Sequence, residues 1–431
     1  MKSAKTGSTT GPKAESVVQA RRISAFSSLR HKNYLLLWIG NIFTNMAFWL
    51  QLITLGWLVW ELTKDPETGR GSVFLSSAAA GLRALPFLIV GPWAGVMVDR
   101  LDRRKFVIII HVLLAVSGIS FAFFVASAIV EVWHVFIYAS VAGICYGALQ
   151  PARQALIVNT VPPQELGNAI ALNAMAVTAN RLIGATLGGL LITTVGIQWN
   201  FFVEGGAYTV MAILLLPMKT PYQEKQTARS FSVLTNLRQG VSYIWNDNRI
   251  ILHLIVLSLI LNLFFMPIPS LLPAYTGQVL HEKADVGGFL MATQGAGGMT
   301  ATIVIASLGF IFRKGPVGLI ALVVGSVAIL AMAQSHWLLL SLAMMALLGF
   351  SQTVFIVGNQ TLVQTMVPDT LRGRVTSIYM LEYGLGPLAV FLIGAFMDLF
   401  SVASTLTVMA FVSLGLSLFF LFTFKKVRQL D

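Results

Sequence analysis

Residues 95–105 read Gly-Val-Met-Val-Asp-Arg-Leu-Asp-Arg-Arg-Lys and lie between two long apolar stretches. Gly95 stands one helical turn before Asp99, and a glycine at that place lets two helix backbones approach closely. The aspartate can lie where a helix dipole or an arginine compensates its charge. A basic cluster of the kind held at the cytosolic surface of a membrane follows, formed by Arg100, Arg103, Arg104 and Lys105. The stretch therefore predicts a short cytosolic loop between two membrane-spanning helices, called the gating loop below.

The composition excludes a soluble protein. Of all residues, 56% are hydrophobic and only 11% are charged. The apolar residues come in runs of about twenty, the length that crosses a bilayer. We therefore expect an all-α polytopic protein embedded in a lipid bilayer. Twelve candidate spans are found, at residues 34–61, 73–98, 106–128, 132–159, 167–195, 200–217, 250–277, 285–311, 316–334, 337–365, 373–398 and 402–424.

The basic residues predict the topology, because Lys and Arg near helix ends stay on the cytosolic side. With both termini in the cytosol, 23 of the 29 basic residues fall on that side, and only Lys64, Arg70 and Lys283 fall outside. The formal charge of +12 is thus spread over separate loops facing anionic headgroups, which argues against nucleic acid as a partner. The remaining three basic residues lie within predicted spans and are site candidates: Arg83, Arg153 and Arg181.

A repeat divides the chain into two halves. The pattern Gln-x-Leu-x-x-x-x-Val-Pro-x-x-x-x-Gly of residues 154–167 recurs 206 positions later, at residues 360–373. Each proline ends a long helix and each glycine opens the next, so the two loops are equivalent turns. Apolar residues at helical spacing in the longest polar interruption predict an amphipathic helix. The expected segments are a basic tail at 1–33, a six-helix bundle at 34–218, a cytosolic linker with that helix at 219–249, a second six-helix bundle at 250–424 and a tail at 425–431.

Residues 95–105 resemble the signature loop between helices 2 and 3 of the major facilitator superfamily. Residues 150–155 (Gln-Pro-Ala-Arg-Gln-Ala) and 168–173 (Asn-Ala-Ile-Ala-Leu-Asn) are similar to its enterobactin-exporter-like and drug-efflux branch, found in the bacterial inner membrane. The resemblance runs from Leu29 to Phe424. It implies two pseudo-symmetric six-helix bundles with a substrate site between them, and proton-driven export of small amphiphilic molecules of the drug or siderophore class by alternating access.

The fifth span departs from that superfamily in one respect. Its antiporter signature carries Gly-Pro followed two residues later by Gly-Gly, whereas this chain has alanine at position 185 in place of the proline. A bend that depends on the proline is therefore not expected. The small-residue face of the span still predicts close packing against another helix, through Gly184, Gly188 and Gly189.

Arg83 and Glu382 each lie deep in a predicted span, where a charge costs roughly 2.5–3.5 kcal/mol unless it is compensated. In the fold that this chain resembles, helices 2 and 11 face each other across the two halves. We therefore predict that Arg83 and Glu382 are close in at least one state of the transport cycle. Protonation of Glu382 would release Arg83 and let the interface open, which makes the pair a candidate for proton coupling. A permanent salt bridge that holds the halves in register is the alternative.

Arg181 lies deep in the fifth span, on a side rich in small and polar residues. It is a candidate for binding an anionic or catecholate-like substrate by charge-assisted hydrogen bonds. Alternatively, carbonyl oxygens or the amides of Asn41, Asn45 or Gln51 satisfy it. The other candidate substrate contacts are Asn180, Asn45, Phe48 and Tyr379.

Two further charges have different expected roles. Arg153 is nearer the cytosolic end of its span, and we expect it to hold the gating loop closed by pairing with an acid. Glu204 is near the outer end of its span, where a solvated role is expected and a second titratable site is the alternative.

No motif for enzyme chemistry is found. The chain lacks the G-x-x-x-x-G-K-[ST] phosphate loop, the H-E-x-x-H zinc helix and the G-x-S-x-G nucleophile turn, and its six histidines are scattered without metal spacing. We therefore expect no enzyme activity, no metal and no cofactor. The expected protein works as a monomer on small-molecule substrates and protons. The alternatives are an importer or facilitator of the same fold and a non-transporting membrane sensor.

Overall fold

Apolar runs with few helix breakers form long helices in the computed structural model. The structure describes residues 26–221, 233–308, 313–368, 371, 375, 378 and 385–430. It describes only the backbone of residues 87, 88, 91–100, 233–237, 306 and 308. The side-chain surroundings of Gly95, Asp99 and Arg100 therefore lie outside the description, as do Tyr379 and Glu382 entirely. What the sequence predicts for these residues stays a prediction.

Six helices form the first half of the chain. Short turns connect them, and at the start of the third helix Asp102 accepts a hydrogen bond from the backbone N–H of Lys105 at 3.1 Å, as an N-cap does. The helices are α1 Lys32–Leu62, α2 Val73–Arg100, α3 Arg103–Ala126, α4 Val132–Thr160, α5 Leu166–Thr194 and α6 Gln198–Leu215.

The second half begins with a linker helix and ends with a short helix after the last span. Its helices are α7 Val233–Asn246, α8 Arg249–Ile260, α9 Ile268–Tyr275, α10 Ala284–Leu308, α11 Lys314–Ala333, α12 Leu338–Met366, α13 Leu385–Leu399, α14 Val402–Thr423 and α15 Lys425–Arg428.

The seventh span, Arg249–Leu280, is an irregular helix. Two π-helical turns, Leu261–Phe265 and Thr276–Leu280, lie on either side of α9. Prolines lack the N–H that would continue the backbone ladder, so hydrogen bonding changes around them. They are Pro267, Pro269 and Pro273. Turns of this kind are frequent at functional sites, and the first one contains Asn262, which lines the cavity described below.

The all-α prediction is confirmed. The described residues contain no strand, and each of the twelve predicted spans corresponds to a helix or, for the seventh, to the irregular helix. Nine helices among the described residues are long and apolar enough to cross a membrane. Predicted and observed ends agree closely, as for residues 132–159 against Val132–Thr160. The eleventh span, predicted at 373–398, is described as a helix over Leu385–Leu399.

The bundle has two ends. The terminal face holds residues 26–31 and 424–430, and the opposite face holds the turns that follow α1, α3 and α5. Four apolar residues of the first half belong to the same buried cluster as the core of the second half: Ile53, Trp60, Val73 and Ala185. All four lie in the part of their helix that is nearer the opposite face. The two halves are therefore packed together at that face.

Asp398, at the end of α13, joins the two halves at the opposite face. Its carboxylate accepts hydrogen bonds from the backbone N–H groups of Val73 at 2.7 Å and Phe74 at 3.0 Å, and from the Ser72 hydroxyl at 2.8 Å. The first N–H groups of a helix have no partner within the helix and carry its positive dipole end. The acid therefore caps α2 of the other half.

The glycines predicted for helix packing lie at close helix contacts. A Cβ at Gly184 would be 2.5 Å from the carbonyl oxygen of Met46 on α1, and one at Gly189 would be 2.7 Å from that of Ala284 on α10. Gly188 faces α1 one turn beyond Gly184. Because α5 packs on both halves through these positions, a larger residue at Gly189 would push the halves apart.

The described part of the gating loop ties helices of the first half together at the terminal face. Arg103 donates to the Asn159 side chain at 2.8 Å. Arg104 donates through Nε to the carbonyl oxygen of Leu215 at 2.8 Å and through Nη2 to that of Leu216. Asn159 lies in the last turn of α4, and the two carbonyls lie at the end of α6, where backbone carbonyls lack donors within the helix. The role of the loop in gating stays a prediction.

Candidate functional site

A cavity of about 460 Å³ lies between the two halves. Its wall comes from α1, α2, α4 and α5 of the first half, and from the seventh span, α12 and α13 of the second. Toward the terminal face it reaches Gln154 and Ile157, in the last two turns of α4. The packing of the two halves at the opposite face closes the other side. The cavity is thus directed toward the terminal face.

Three arginines of the cavity wall converge on one side of α1. The guanidinium carbon of Arg83 lies 4.0 Å from the centre of the Phe48 ring, and that of Arg181 lies 4.5 Å from the centre of a Trp49 ring. Arg153 donates through Nη2 to Oδ1 of Asn45 at 3.4 Å. Positions 45, 48 and 49 are three and four residues apart, so they share one side of the helix.

None of these arginines forms an ion pair with an acid of the described residues. The ion pairs found there are His31–Glu165 at 3.1 Å and Lys64–Glu61 at 3.3 Å, and none of these residues lines the cavity. The aromatic rings compensate part of the charge, since a cation over a ring gains about 0.5–2 kcal/mol. For Arg181 the sequence left open an anionic substrate or amides and carbonyls as partners, and the described contact is with the ring of Trp49.

Arg153 has a donor left open. Its side chain is only 5% exposed, and its Nε has no hydrogen-bond partner among the described residues. The structure places Arg153 in the cavity wall against Asn45. That it also holds the gating loop closed by pairing with an acid stays a prediction, because the side chain of Asp99 lies outside the description. On α12 of the other half, Nε2 of Gln352 is also buried and has no hydrogen-bond partner in the part of the chain that the structure describes. An unsatisfied buried donor costs about 1–3 kcal/mol, so each group would be stabilised by a polar partner.

The rest of the wall is mostly apolar. Large side chains from both halves face the same space as the arginines, namely Phe48, Trp49, Leu52, Met266, Pro269 and Val390. A concave site with an apolar wall and a few convergent polar groups suits small molecules that have both characters.

Behind this wall, Arg83 is connected to a buried acid. Its Nε donates to Oε1 of Gln51 at 2.5 Å, and Nε2 of Gln51 donates to Oε1 of Glu204 at 2.6 Å. The hydroxyl of Tyr138 donates to the same carboxyl oxygen at 2.9 Å. Glu204 is 0% exposed, so the expectation that it is solvated is wrong. The helix α6 turns this side chain toward α1 and α4 rather than toward solvent.

The structure brings some of the predicted substrate residues together and not others. Arg181, Asn45 and Phe48 line the cavity. Asn180 does not, because its side chain is buried and donates to the Ala176 carbonyl oxygen of its own helix at 2.7 Å. Tyr379 lies outside the described residues.

Sequence reasoning missed amides of the second half that line the cavity. They are Asn262 in the seventh span and Gln352 in α12. The available signal was an isolated amide within a long apolar run, which is costly in a membrane unless it faces protein or a cavity. No cluster of His, Cys, Asp and Glu that could hold a metal ion is found in the described part of the chain.

Comparisons with known proteins cover nearly the whole chain. A family model described as transmembrane secretion effector matches residues 23–431. The staphyloferrin A transporter of Staphylococcus aureus is 24% identical, with 91% of this chain and 95% of that protein aligned. The multidrug efflux pump Tap of Mycolicibacterium fortuitum is 25% identical, with 89% and 93% aligned.

Solved structures show the same fold at low identity. A POT family transporter in complex with a thioalcohol-conjugated peptide has a TM-score of 0.73 at 9% identity, covering 94% of this chain and 100% of that one. The xylose transporter XylE from E. coli, in an inward open conformation, has a TM-score of 0.64 at 15% identity, covering 90% and 94%. At these identities the likeness concerns the fold alone.

Proposed function

Since the chain belongs to the transmembrane secretion effector family of the major facilitator superfamily, we propose that it exports small amphiphilic molecules of the drug or siderophore class in exchange for protons. Membership of this family makes the chain a membrane transporter and not an enzyme. The observation that carries the proposal is the cavity between the halves. Its wall combines large apolar side chains with three arginines, and it is directed toward one end of the bundle. Such a site suits amphiphilic cargo that is taken up from that end.

The proposed direction rests on the topology that the basic residues predict. If the loops rich in Lys and Arg lie in the cytosol, the terminal face is cytosolic and the cavity is directed toward the cytosol. Release on the other side would need a second state, in which Asp398 leaves the start of α2 and α5 separates from α10. The two halves would then rock about the cavity in the bacterial inner membrane.

The names of the relatives support the class of cargo. One is a transporter of the siderophore staphyloferrin A and another is a multidrug efflux pump, and both align over most of their length. Small molecules of either class fit the mixed wall of this cavity.

Two carboxyls are candidates for the proton site. Glu382 is the acid that the resemblance sets opposite Arg83, and its protonation would release that arginine. Glu204 is connected to Arg83 through Gln51. Glutamine is nearly isosteric with glutamate and cannot ionise, so Glu382→Gln and Glu204→Gln each remove one proton site with little change in shape.

The test is the accumulation of a panel of dyes, drugs and siderophores in efflux-deficient bacteria that express the full chain, with and without a protonophore. We expect the wild type to lower the accumulation of at least one compound and the protonophore to abolish this effect. One of the two Gln variants should lose the proton dependence while the other keeps it. Arg70→Gln is the matched control, because Arg70 is an exposed cation far from the cavity.

Each other result contradicts a named part of the proposal. Higher accumulation with the wild type would indicate an importer. Unchanged accumulation of every compound, with the protein verified in the membrane, would indicate a non-transporting role. Export that keeps its proton dependence in both Gln variants would exclude both carboxyls as the coupling site.

A further inference from the structure

We infer that the cavity selects cargo with an anionic group, such as a carboxylate on an apolar body, and that Arg153 and Arg181 bind that group. The inference deepens the proposed function and rests on it, because the bound molecule is a cargo only if the protein exports it. It goes beyond the fold and the mixed character of the wall, because it assigns a charge sign to the ligand and two residues to its recognition.

The first step is the count of charges at membrane depth. Three arginines lie more than one turn inside a predicted span, and the sequence offers two acids placed in the same way, Glu204 and Glu382. Even with both acids ionised, one positive charge is left over. An uncompensated cation in this environment is costly, so an anionic ligand would stabilise the site.

The second step separates the three arginines. The Nε of Arg83 is directed to Gln51, and through it to Glu204, so this arginine already has a partner behind the wall. Arg153 has only the long contact to Asn45 and an Nε without a partner in the described part of the chain. Arg181 lies on the face of Trp49, which leaves the edge of its guanidinium group for other hydrogen bonds.

The third step is the spacing of the two arginines that remain. Asn45 and Trp49, which they contact, are one turn apart on α1, and such positions have Cβ atoms about 5–6 Å apart. Two guanidinium groups that contact neighbouring turns on one side of a helix can bind one carboxylate together or two anionic groups of one molecule. Gln352 brings an amide of the other half to the same wall. Polar residues from both halves thus line one space, and the apolar side chains around it suit the body of the ligand.

An anionic cargo also fits the proposed direction. The interior of a bacterium is electrically negative, so the membrane potential assists the exit of an anion and opposes its entry. An anion that leaves the cell and a proton that enters it both move net positive charge inward. Transport of this cargo is therefore expected to be electrogenic.

The test measures binding to the purified full chain in lipid nanodiscs with three probes that share one fluorophore. They are dansylglycine, its uncharged methyl ester and the cationic dansylethylenediamine, and the change in dansyl fluorescence on titration gives each Kd. We expect the acid to bind the wild type tightest. Because a hydrogen bond to a charged group contributes strongly, Arg153→Gln and Arg181→Gln should each weaken binding of the acid by roughly 10- to 100-fold and leave the ester within about twofold.

Matched variants keep the result interpretable. Arg153→Lys and Arg181→Lys retain the charge and should weaken binding of the acid less than the Gln variants. Arg70→Gln should change nothing. If a Gln variant fails to fold, the Lys variant at that position and the Gln variant at the other still decide the question. Equal binding of the acid, the ester and the amine, binding of none of them, or unchanged binding of the acid in both Gln variants would overturn the inference.

The binding test fails separately from the transport test. Export of cationic compounds in cells, with no preference for the acid in nanodiscs, would leave the proposed function standing and overturn the anion site. Arginine-dependent binding of the acid, without transport of any compound in either direction, would leave the anion site standing and overturn the proposed export.

Discussion

Two sets of polar side chains lie against α1 in the first half, and they differ in where their hydrogen bonds go. Arg83, itself on the cavity wall, is connected behind the wall through Gln51 to Glu204 and Tyr138, with Oε2 of Glu204 the one atom of that carboxyl without a partner in the described residues. Arg153 and Arg181, by contrast, line the cavity and have no such connection to an acid among the described residues. Depth in the membrane is thus not what marks a ligand-binding arginine. The difference lies in whether protein groups already occupy its donors.

The largest expected effect is on stability, from removing the acid of the connected set. Glu204→Ala would leave the donors of Gln51 and Tyr138 without their acceptor. We expect a loss of roughly 2–6 kcal/mol of stability, because each buried donor left without a partner costs about 1–3 kcal/mol. The measurement is the thermal unfolding midpoint of the purified protein in detergent. Glu204→Gln keeps an acceptor oxygen and should lose less, and an unchanged midpoint in Glu204→Ala would show that the set is not connected as described.

The second expected effect compares the arginines directly. Arg83→Gln removes a charged donor from Gln51 and should cost roughly 1.5–3 kcal/mol of stability. Arg153→Gln removes a buried cation whose Nε has no described partner, so its effect on stability should stay below about 1 kcal/mol while ligand binding is lost. Denaturation curves of the two variants, measured side by side, check this order. A larger loss for Arg153→Gln would remove the distinction between the two sets.

The sequence predicts the spans well because a span requires only a long enough run of apolar residues along the chain. A run of apolar residues either covers the bilayer or does not, so residues 132–159 could be predicted and Val132–Thr160 is observed. The irregular seventh span could not be predicted from hydropathy, since its π-helical turns depend on how the backbone rearranges around its prolines. Length and composition contain no information about that rearrangement.

For the site, the sequence likewise could not predict which side of each helix faces the cavity. Arg83 and Arg181 could be identified because a charge at membrane depth is costly, and the structure places both on the cavity wall. Their neighbours could not, because helices that are apolar on all sides give little indication of which side faces inward. Asn180 is adjacent to Arg181 in sequence but bonds to its own helix, and Glu204 is buried although it lies near a helix end.

A third expected effect concerns the contact between the two halves at the opposite face. Asp398→Ala removes the acceptor for the first N–H groups of α2. Losing such a cap costs about 0.5–2 kcal/mol, which shifts the equilibrium between the closed and open forms of that face roughly 2- to 30-fold toward the open form. Ser77 is a suitable reporter, because it is 0% exposed beneath Gly394. Thiol labelling of Ser77→Cys, in a Cys145→Ala background, should be faster with Asp398→Ala.

The control for this experiment is an acid on the same face without a contact to the other half. Glu67→Ala meets that condition, since Glu67 is exposed in the turn between α1 and α2. Equal labelling rates in all three proteins would show that Asp398 does not hold the face closed. In that case the hydrogen bonds of Asp398 across the two halves would stabilise the closed face less than their geometry indicates.

The smallest expected effect belongs to Asp65, an exposed acid that contrasts with the buried Glu204. Its carboxylate accepts hydrogen bonds from the backbone N–H groups of Glu67 at 2.8 Å and Thr68 at 3.4 Å, and these bonds lower the pKa of Asp65 below its ordinary value of 3.8. Because the folded pKa is the lower one, the stabilisation is present above pH 3.8 and is lost as the pH falls through the folded pKa. Asp65→Asn removes the charge at neutral pH. It should speed hydrogen exchange of the Glu67 and Thr68 amides and leave the unfolding midpoint and transport unchanged, since water screens an exposed charge. If Asp65→Asn instead lowered the midpoint as far as Glu204→Ala does, burial would not be what separates the two acids.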